Sequence, residues 1–124
     1  TCLNAVWFAD ERVRPHFEAL PVEQKLFVVN GLSMPEVFQM NLADLFEHYA
    51  DGEEHGWETE FADVRARFPD VLDGLIESIT RDRQHEPVLL GDDMRIWDGH
   101  KRLYALHLLR EEAVLVTFGK MQLA

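Results

Sequence analysis

The chain has 124 residues, of which 47% are hydrophobic and 28% are charged, and this composition is typical of one globular domain. Its formal net charge of −11 argues against a broad surface for duplex nucleic acid, so direct DNA binding is not expected. No apolar run approaches the roughly 20 residues that span a bilayer, and no leader peptide is visible, so we expect a cytoplasmic protein. Cys2 is given no role, because it is the single cysteine.

The first part of the chain is predicted to be mainly helical. Apolar residues at helical spacing predict a helix over residues 9–20, and Pro21 favours a second helix that ends before Gly31. Residues 26–29 would also suit a buried strand. The pattern then predicts a half-buried strand at 36–40, a short helix at 41–50 capped by Asn41, and a turn at Asp51-Gly52. The aromatic residues of the first segment are expected in the core rather than at an interface: Trp7, Phe8, Phe17 and Phe27.

The second part alternates helices and short strands. A charged helix over residues 57–68 is predicted to end at Pro69. Asp70 then begins a helix whose apolar residues recur at helical spacing, namely Val71, Leu72, Leu75, Ile76 and Ile79. Further along, the sequence predicts a linker at 84–87, a strand at 88–90, a tight turn at 91–93, its hairpin partner at 94–97, a helix that includes 103–109 and a last strand at 113–118.

Charge is distributed unevenly along these elements. Residues 41–77 contain eleven acidic residues against two arginines, whereas residues 81–120 contain seven acidic and seven basic residues. The cationic groups that can meet a small anion are therefore concentrated in the second part. Ordinary surface variation is the alternative explanation of this difference.

The segment Asp98-Gly99-His100-Lys101-Arg102 carries the clearest chemical signal, because it joins an apolar run to a helical pattern. Glycine permits a close backbone approach, so a phosphate can lie against the N–H groups of residues 100–102. Arg102 adds a planar fork of donors, Lys101 a mobile charge, and His100 a group that donates or exchanges a proton near neutral pH. Asp98 is expected to cap the helix or to bind a Mg²⁺ ion that bridges phosphates. Alternatively, Arg102 pairs with a carboxylate and His100 is simply exposed.

The order of elements around this turn resembles the ParB/sulfiredoxin-like superfamily. The matching features are a helix followed by Pro-Val-Leu-Leu, a hairpin, a strand ending in Asp-Gly-x-x-Arg, an Ala/Leu-rich helix and a final strand. The resemblance implies an α+β fold, with a small mixed sheet packed against helices. The resemblance covers about residues 37–118. We therefore expect a single domain over residues 1–124, with a core at 36–119 and an extra N-terminal helical segment at 1–35 that the resemblance does not cover.

The residues of the turn limit which activities of the superfamily are expected of this chain. Sulfiredoxins carry their reactive cysteine at the position of His100, so reduction of a sulfinic acid is not expected here. Chromosome-partitioning members read Gly-Glu-Arg-Arg and bind a cytidine nucleotide, whereas free-serine kinases read Asp-Gly-His-His-Arg, which differs from this chain only at Lys101. The resemblance therefore implies that residues 98–102 hold a nucleoside triphosphate, ATP or CTP, with Mg²⁺, for phosphoryl transfer or nucleotide hydrolysis.

A phosphotransferase or nucleotide hydrolase also needs a carboxylate to orient or deprotonate the nucleophile. In the superfamily it commonly follows the first core strand, so Asp44 and Glu47 are the candidates, with Glu47 preferred. Both equally suit a solvated helix face. Acidic and histidine side chains between residues 47 and 55 could hold a divalent cation, although their spacing matches no specific motif.

A non-catalytic function is the alternative to an enzyme. In that case the domain acts through its acidic face, residues 51–63, on a basic protein partner and imitates the charge of nucleic acid. Nucleotide binding separates the two hypotheses, because only the enzyme requires it.

Overall fold

The computed structural model describes residues 2–3, 14–32, 34–91 and 93–119. The strands within these ranges are β1 (Cys2–Leu3), β2 (Met34–Pro35), β3 (Val37–Asn41), β4 (Val88–Leu90), β5 (Ile96–Asp98) and β6 (Ala113–Phe118). The helices are α1 (Arg14–Ala19), α2 (Val22–Val29), α3 (Leu42–His48), α4 (Trp57–Arg67), α5 (Pro69–Asp82) and α6 (His100–Leu108). This mixture confirms the predicted α+β class. None of the helices in these ranges combines the length and hydropathy that a bilayer crossing requires.

A four-stranded mixed sheet with the order β3-β6-β4-β5 lies at the centre of the fold. β6 pairs antiparallel with β3 and parallel with β4, which in turn pairs antiparallel with β5. Alternate residues of β6 are buried, as expected for a strand with one face on the core. Val88 and Val116, which are partners in the parallel pair, are completely buried. The sheet therefore fixes where β5 ends, and with it the position of the following turn.

Helices α4, α5 and α6 pack against one another beside the sheet. α5 buries Leu72 and Ile79 against the core, as its helical spacing predicts. Val71, which the sequence pattern included in the same apolar stripe, is exposed. Four consecutive residues of α6, 103–106, are buried, which shows that this helix is enclosed on most sides. α6 is thus held firmly behind the turn that precedes it.

The N-terminal helices pack onto the same core. His16 is completely buried, and its Nδ1 lies 2.6 Å from the Tyr49 hydroxyl. Burial raises the pKa of the Tyr49 hydroxyl, which keeps it protonated. Phe17 and Phe27 pack against the core as predicted, whereas Trp7 and Phe8 lie outside the described residues. The predicted boundary between an N-terminal segment at 1–35 and a core at 36–119 stays a prediction.

Most predicted elements are present, and the differences have local causes. Asn41 caps α3 as predicted, since its Oδ1 accepts from the N–H of Asp44 at 3.1 Å. The helix ends at His48 instead of Ala50, because Ala50 exchanges backbone hydrogen bonds with Met94 and Ile96. The hairpin strand consequently begins at Ile96 rather than at Met94, which has a positive φ of 61°. The helix predicted over residues 9–20 is described by the structure from Arg14, where α1 begins, and its earlier residues lie outside the described ranges.

Candidate functional site

The turn between β5 and α6 is a sharp change of direction that a buried glycine makes possible. Gly99 has φ 110° and ψ 17°, a left-handed conformation, and it directly precedes the first residue of α6. A Cβ atom at this position would lie 3.0 Å from Val88 Cγ2 and 3.2 Å from Arg102 Nη1. Both the backbone angle and the available space therefore require glycine.

Free backbone donors lie directly after this glycine. The first backbone hydrogen bond of α6 runs from the N–H of Leu103 to the carbonyl of Gly99, at 2.8 Å. Within the described part of the chain, the N–H groups of residues 100–102 have no hydrogen-bond acceptor. Unpaired donors at the positive end of a helix dipole favour an anion, as the sequence predicted for this turn.

The guanidinium of Arg102 lies beside the turn and is mostly enclosed. Its Nη1 donates to the Pro87 carbonyl at 3.3 Å, and its Nη2 donates to Glu86 Oε2 at 3.1 Å. The Arg102 side chain is 17% exposed, whereas that of Glu86 is 78% exposed. Such an open ion pair contributes at most about 1 kcal/mol, so Arg102 can exchange Glu86 for another anion at little cost.

Lys101 and His100 already have partners of different kinds. The Lys101 ammonium lies 4.2 Å from the centre of the Phe68 ring, at the junction of α4 and α5. The Nε2 of His100 accepts a hydrogen bond of 2.9 Å from the N–H of Gly52. This bond ties the start of α6 to the loop after α3.

The turn opens into a cleft of about 320 Å³ between α4, α5 and α6. Residues 98–102 all line this cleft, together with two acidic residues of α4, Glu60 and Asp63. Its carboxylates therefore outnumber its lysine and arginine side chains. A polyphosphate would need a cation beside it to occupy the cleft without repulsion.

The carboxylates that the sequence singled out are separated by the fold. Asp98 is exposed at the end of β5 and lines the cleft. The prediction that Asp98 caps the helix is wrong, because Gly99 occupies the N-cap position and no side chain caps α6. Asp44 and Glu47 are exposed on α3 and do not line the cleft; Glu47 lines another depression beside Tyr49 and Trp57. Their proposed catalytic roles stay predictions.

The loop after α3 contains a buried carboxylate that the sequence placed on an acidic face. Asp51 is 1% exposed, and its two oxygens accept from the backbone N–H groups of His55 and Gly56 at 3.2 and 3.0 Å. The Nε2 of His55 lies 3.2 Å from Asp51 Oδ2 and 2.8 Å from Glu60 Oε2. Asp51, His55 and Glu60 each offer one ligand atom within 4.8 Å of the others, so these three residues have the spacing to hold a divalent cation.

The hydrogen bond with Glu60 raises the pKa of His55, and the nearby charges of Asp51, Glu53 and Glu60 act in the same direction. We expect NMR titration to give His55 a pKa above its ordinary value of about 6.5, and Glu60→Gln to lower it. Because the pKa is raised on folding, this contribution to stability is complete below about pH 6.5 and is lost as pH rises through the folded value. An unshifted His55 in the wild type would contradict the hydrogen bond.

Local patterns predicted the turn but not its neighbours in space. Gly52 and His100 are 48 residues apart in sequence, so nothing in either segment signals their hydrogen bond. Glu60 and Asp63 are spaced by three residues on α4, which places them on one helix face. That spacing indicates that the two carboxylates share a helix face, but it does not show which part of the fold this face contacts.

No family model and no curated protein matches the chain. Among solved structures, the chain is similar to a Pnob8-like ParB-N domain, with 16% sequence identity and a TM-score of 0.48. The similarity covers 72% of this chain and 33% of that chain, so this chain spans about a third of the length of the protein it matches.

Proposed function

We propose that this domain binds the polyphosphate of a nucleoside triphosphate at residues 98–102, together with Mg²⁺. One observation carries the proposal: the unpaired N–H groups of residues 100–102 and the Arg102 guanidinium meet at a buried left-handed glycine. Backbone donors at a helix start are suited to one phosphate, and a guanidinium offers two parallel donors to the next. ATP and CTP are the nucleotides to test first.

The acidic lining of the cleft supports a role for the cation. Mg²⁺ is commonly held by one or two carboxylates together with the phosphates of its substrate. Asp98 is an exposed carboxylate in the same cleft as the turn, so it is the proposed Mg²⁺ ligand. Glu60 and Asp63 line the same cleft, where Glu60 contacts His55 and Asp63 contacts Arg67, and a cation would offset their remaining repulsion of a polyphosphate. Nucleotide binding is therefore expected to depend on Mg²⁺.

Phosphoryl transfer or hydrolysis would require a carboxylate near the terminal phosphate. Glu60 and Asp63 line the cleft, whereas the first candidates, Asp44 and Glu47, do not. If turnover accompanies binding, we expect it to decrease more in Asp63→Asn than in Glu47→Gln. A phosphate-release assay on both variants tests this assignment.

Isothermal titration tests the binding itself. With MgATP or MgCTP as ligand, Arg102→Ala is expected to weaken binding by about 10- to 100-fold, because two charge-assisted hydrogen bonds are lost. Arg81→Ala is the matched control, since Arg81 is exposed on α5 and its ion-pair partner among the described residues is Asp82. Equal affinities for the wild type and Arg102→Ala, or no binding by the wild type at millimolar ligand, would contradict the proposal.

A further inference from the structure

A second surface, which shares no lining residue with the cleft at residues 98–102, combines an apolar lining with acidic edges. A depression of about 790 Å³ lies between the outer faces of α4 and α6, and another of about 520 Å³ follows the loop after α3. Phe46 and Trp57 line both depressions, which makes them continuous. We call this continuous surface the aromatic groove, and define it by Phe46, Trp57, Ala62, Tyr104 and Leu108.

The floor of the aromatic groove is built from stacked rings. The Phe46 and Trp57 ring centres are 5.0 Å apart, and Phe61 stacks on Tyr104 at 4.5 Å with an angle of 7° between the ring planes. Leu108 is 40% exposed at one wall. Ala62 is also exposed, and its small side chain leaves the groove open. The groove is therefore a concave, mostly apolar depression with a largely buried aromatic floor, and concave apolar sites of this kind are typical binding sites.

Acidic side chains surround one end of the groove. Glu47 and Glu58 line it and are exposed, and neither has an ion-pair partner in the described ranges of the chain. Glu54 and Asp93 lie at the same end, where both contact Arg95 Nε at 3.0 and 3.1 Å. The other end carries Arg65, whose guanidinium lies 5.5 Å from the centre of the Tyr104 ring. The free charge at the loop end is therefore negative.

We propose that the aromatic groove binds a basic amphipathic segment of a partner protein, with an apolar anchor on Trp57 and cationic side chains at Glu47 and Glu58. The charge of the rim is complementary to lysine and arginine. A second copy of this chain fits less well, because it would bring another net charge of −11 to an acidic rim. The proposed interaction uses other residues than nucleotide binding, since the lining of the groove and the lining of the cleft at residues 98–102 share no residue.

The test uses the full chain and a fluorescein-labelled helical peptide of about 15 residues, with leucine and tryptophan on one face and lysine on the other. A second peptide has glutamate in place of every lysine. Fluorescence anisotropy is expected to show binding of the lysine peptide only. Ala62→Trp, which fills the groove, and the double variant Glu47→Gln/Glu58→Gln are each expected to weaken binding at least tenfold.

The control is the double variant Asp70→Asn/Asp73→Asn, which removes two exposed acids of α5 outside the groove. It should retain wild-type affinity within about twofold, and Arg102→Ala should do the same. An equal loss in the α5 control would overturn the proposal by showing attraction to overall charge. Full binding by a folded Ala62→Trp would also overturn it. The proposal would also be overturned if sedimentation showed a wild-type dimer that Ala62→Trp converts to a monomer, because a second copy of the chain would then occupy the groove.

Discussion

Gly99→Ala is expected to lower the free energy of unfolding by about 2 to 4 kcal/mol, because an L-residue is strained at this φ and the new Cβ crowds Val88. Arg102 Nη1 would have to move as well, since it lies 3.2 Å from the Cβ position. The same substitution should therefore abolish measurable nucleotide binding. Urea denaturation measures the change in stability, and isothermal titration of the folded fraction measures the change in binding.

Substitutions at two other glycines distinguish backbone strain from steric crowding as causes of the lower stability of Gly99→Ala. Gly31 also has a positive φ, of 70°, but a Cβ there would meet nothing within 4 Å, so Gly31→Ala should cost only about 1 kcal/mol. Gly74 lies inside α5 with open space around it, and Gly74→Ala should stabilise the protein by about 0.5 to 1 kcal/mol. A Gly99→Ala variant no less stable than Gly31→Ala would show that the turn is not tightly packed.

Asp51→Ala is expected to destabilise the fold by about 2 to 4 kcal/mol, since it leaves the N–H groups of His55 and Gly56 without their acceptors. The loop that carries these groups also donates to His100 through Gly52. We therefore expect weaker nucleotide binding as well as a lower urea midpoint. Amide hydrogen exchange of residues 52–56 is expected to accelerate in the variant.

Asp51→Asn is the matched variant for this prediction. Its amide oxygen can still accept one of the two backbone hydrogen bonds, so its loss of stability should be roughly half that of Asp51→Ala. Glu53→Gln changes a charge in the same loop at an exposed side chain and should have no measurable effect on stability. Equal stabilities for wild type and Asp51→Ala would mean that the buried carboxylate does not organise the loop.

The sequence predicts those elements whose pattern is local and repeated. β6 matches its predicted bounds, 113–118, because alternating β-branched residues leave one face buried. α5 follows from apolar residues at helical spacing after Pro69. The hairpin strand differs, because Arg95 pairs with Ala50 from a distant loop instead of continuing β5. Such a pairing depends on tertiary contacts, which a local pattern does not contain.

The candidate site shows the same difference between features encoded by consecutive residues and features that depend on tertiary packing. The glycine turn and the donors after it are encoded by consecutive residues, 98–102, and the structure has both. The positions of Asp44 and Glu47 relative to the turn depend on how α3 packs, and the fold places them outside the cleft. Two carboxylates that line the cleft, Glu60 and Asp63, come from α4, which the sequence predicted as a charged helix within an acidic face at 51–63. The backbone geometry of the turn was therefore predictable, whereas its neighbours in space were not.

Nucleotide binding at the turn is tested most directly by amide NMR of the ¹⁵N-labelled chain during titration with MgATP and MgCTP. We predict that the largest shift changes occur at the amides of residues 99–102, that they require Mg²⁺, and that Arg102→Ala suppresses them. Unchanged resonances at millimolar nucleotide would contradict the account. Shift changes confined to residues far from the turn would contradict it equally, because the ligand would then bind elsewhere.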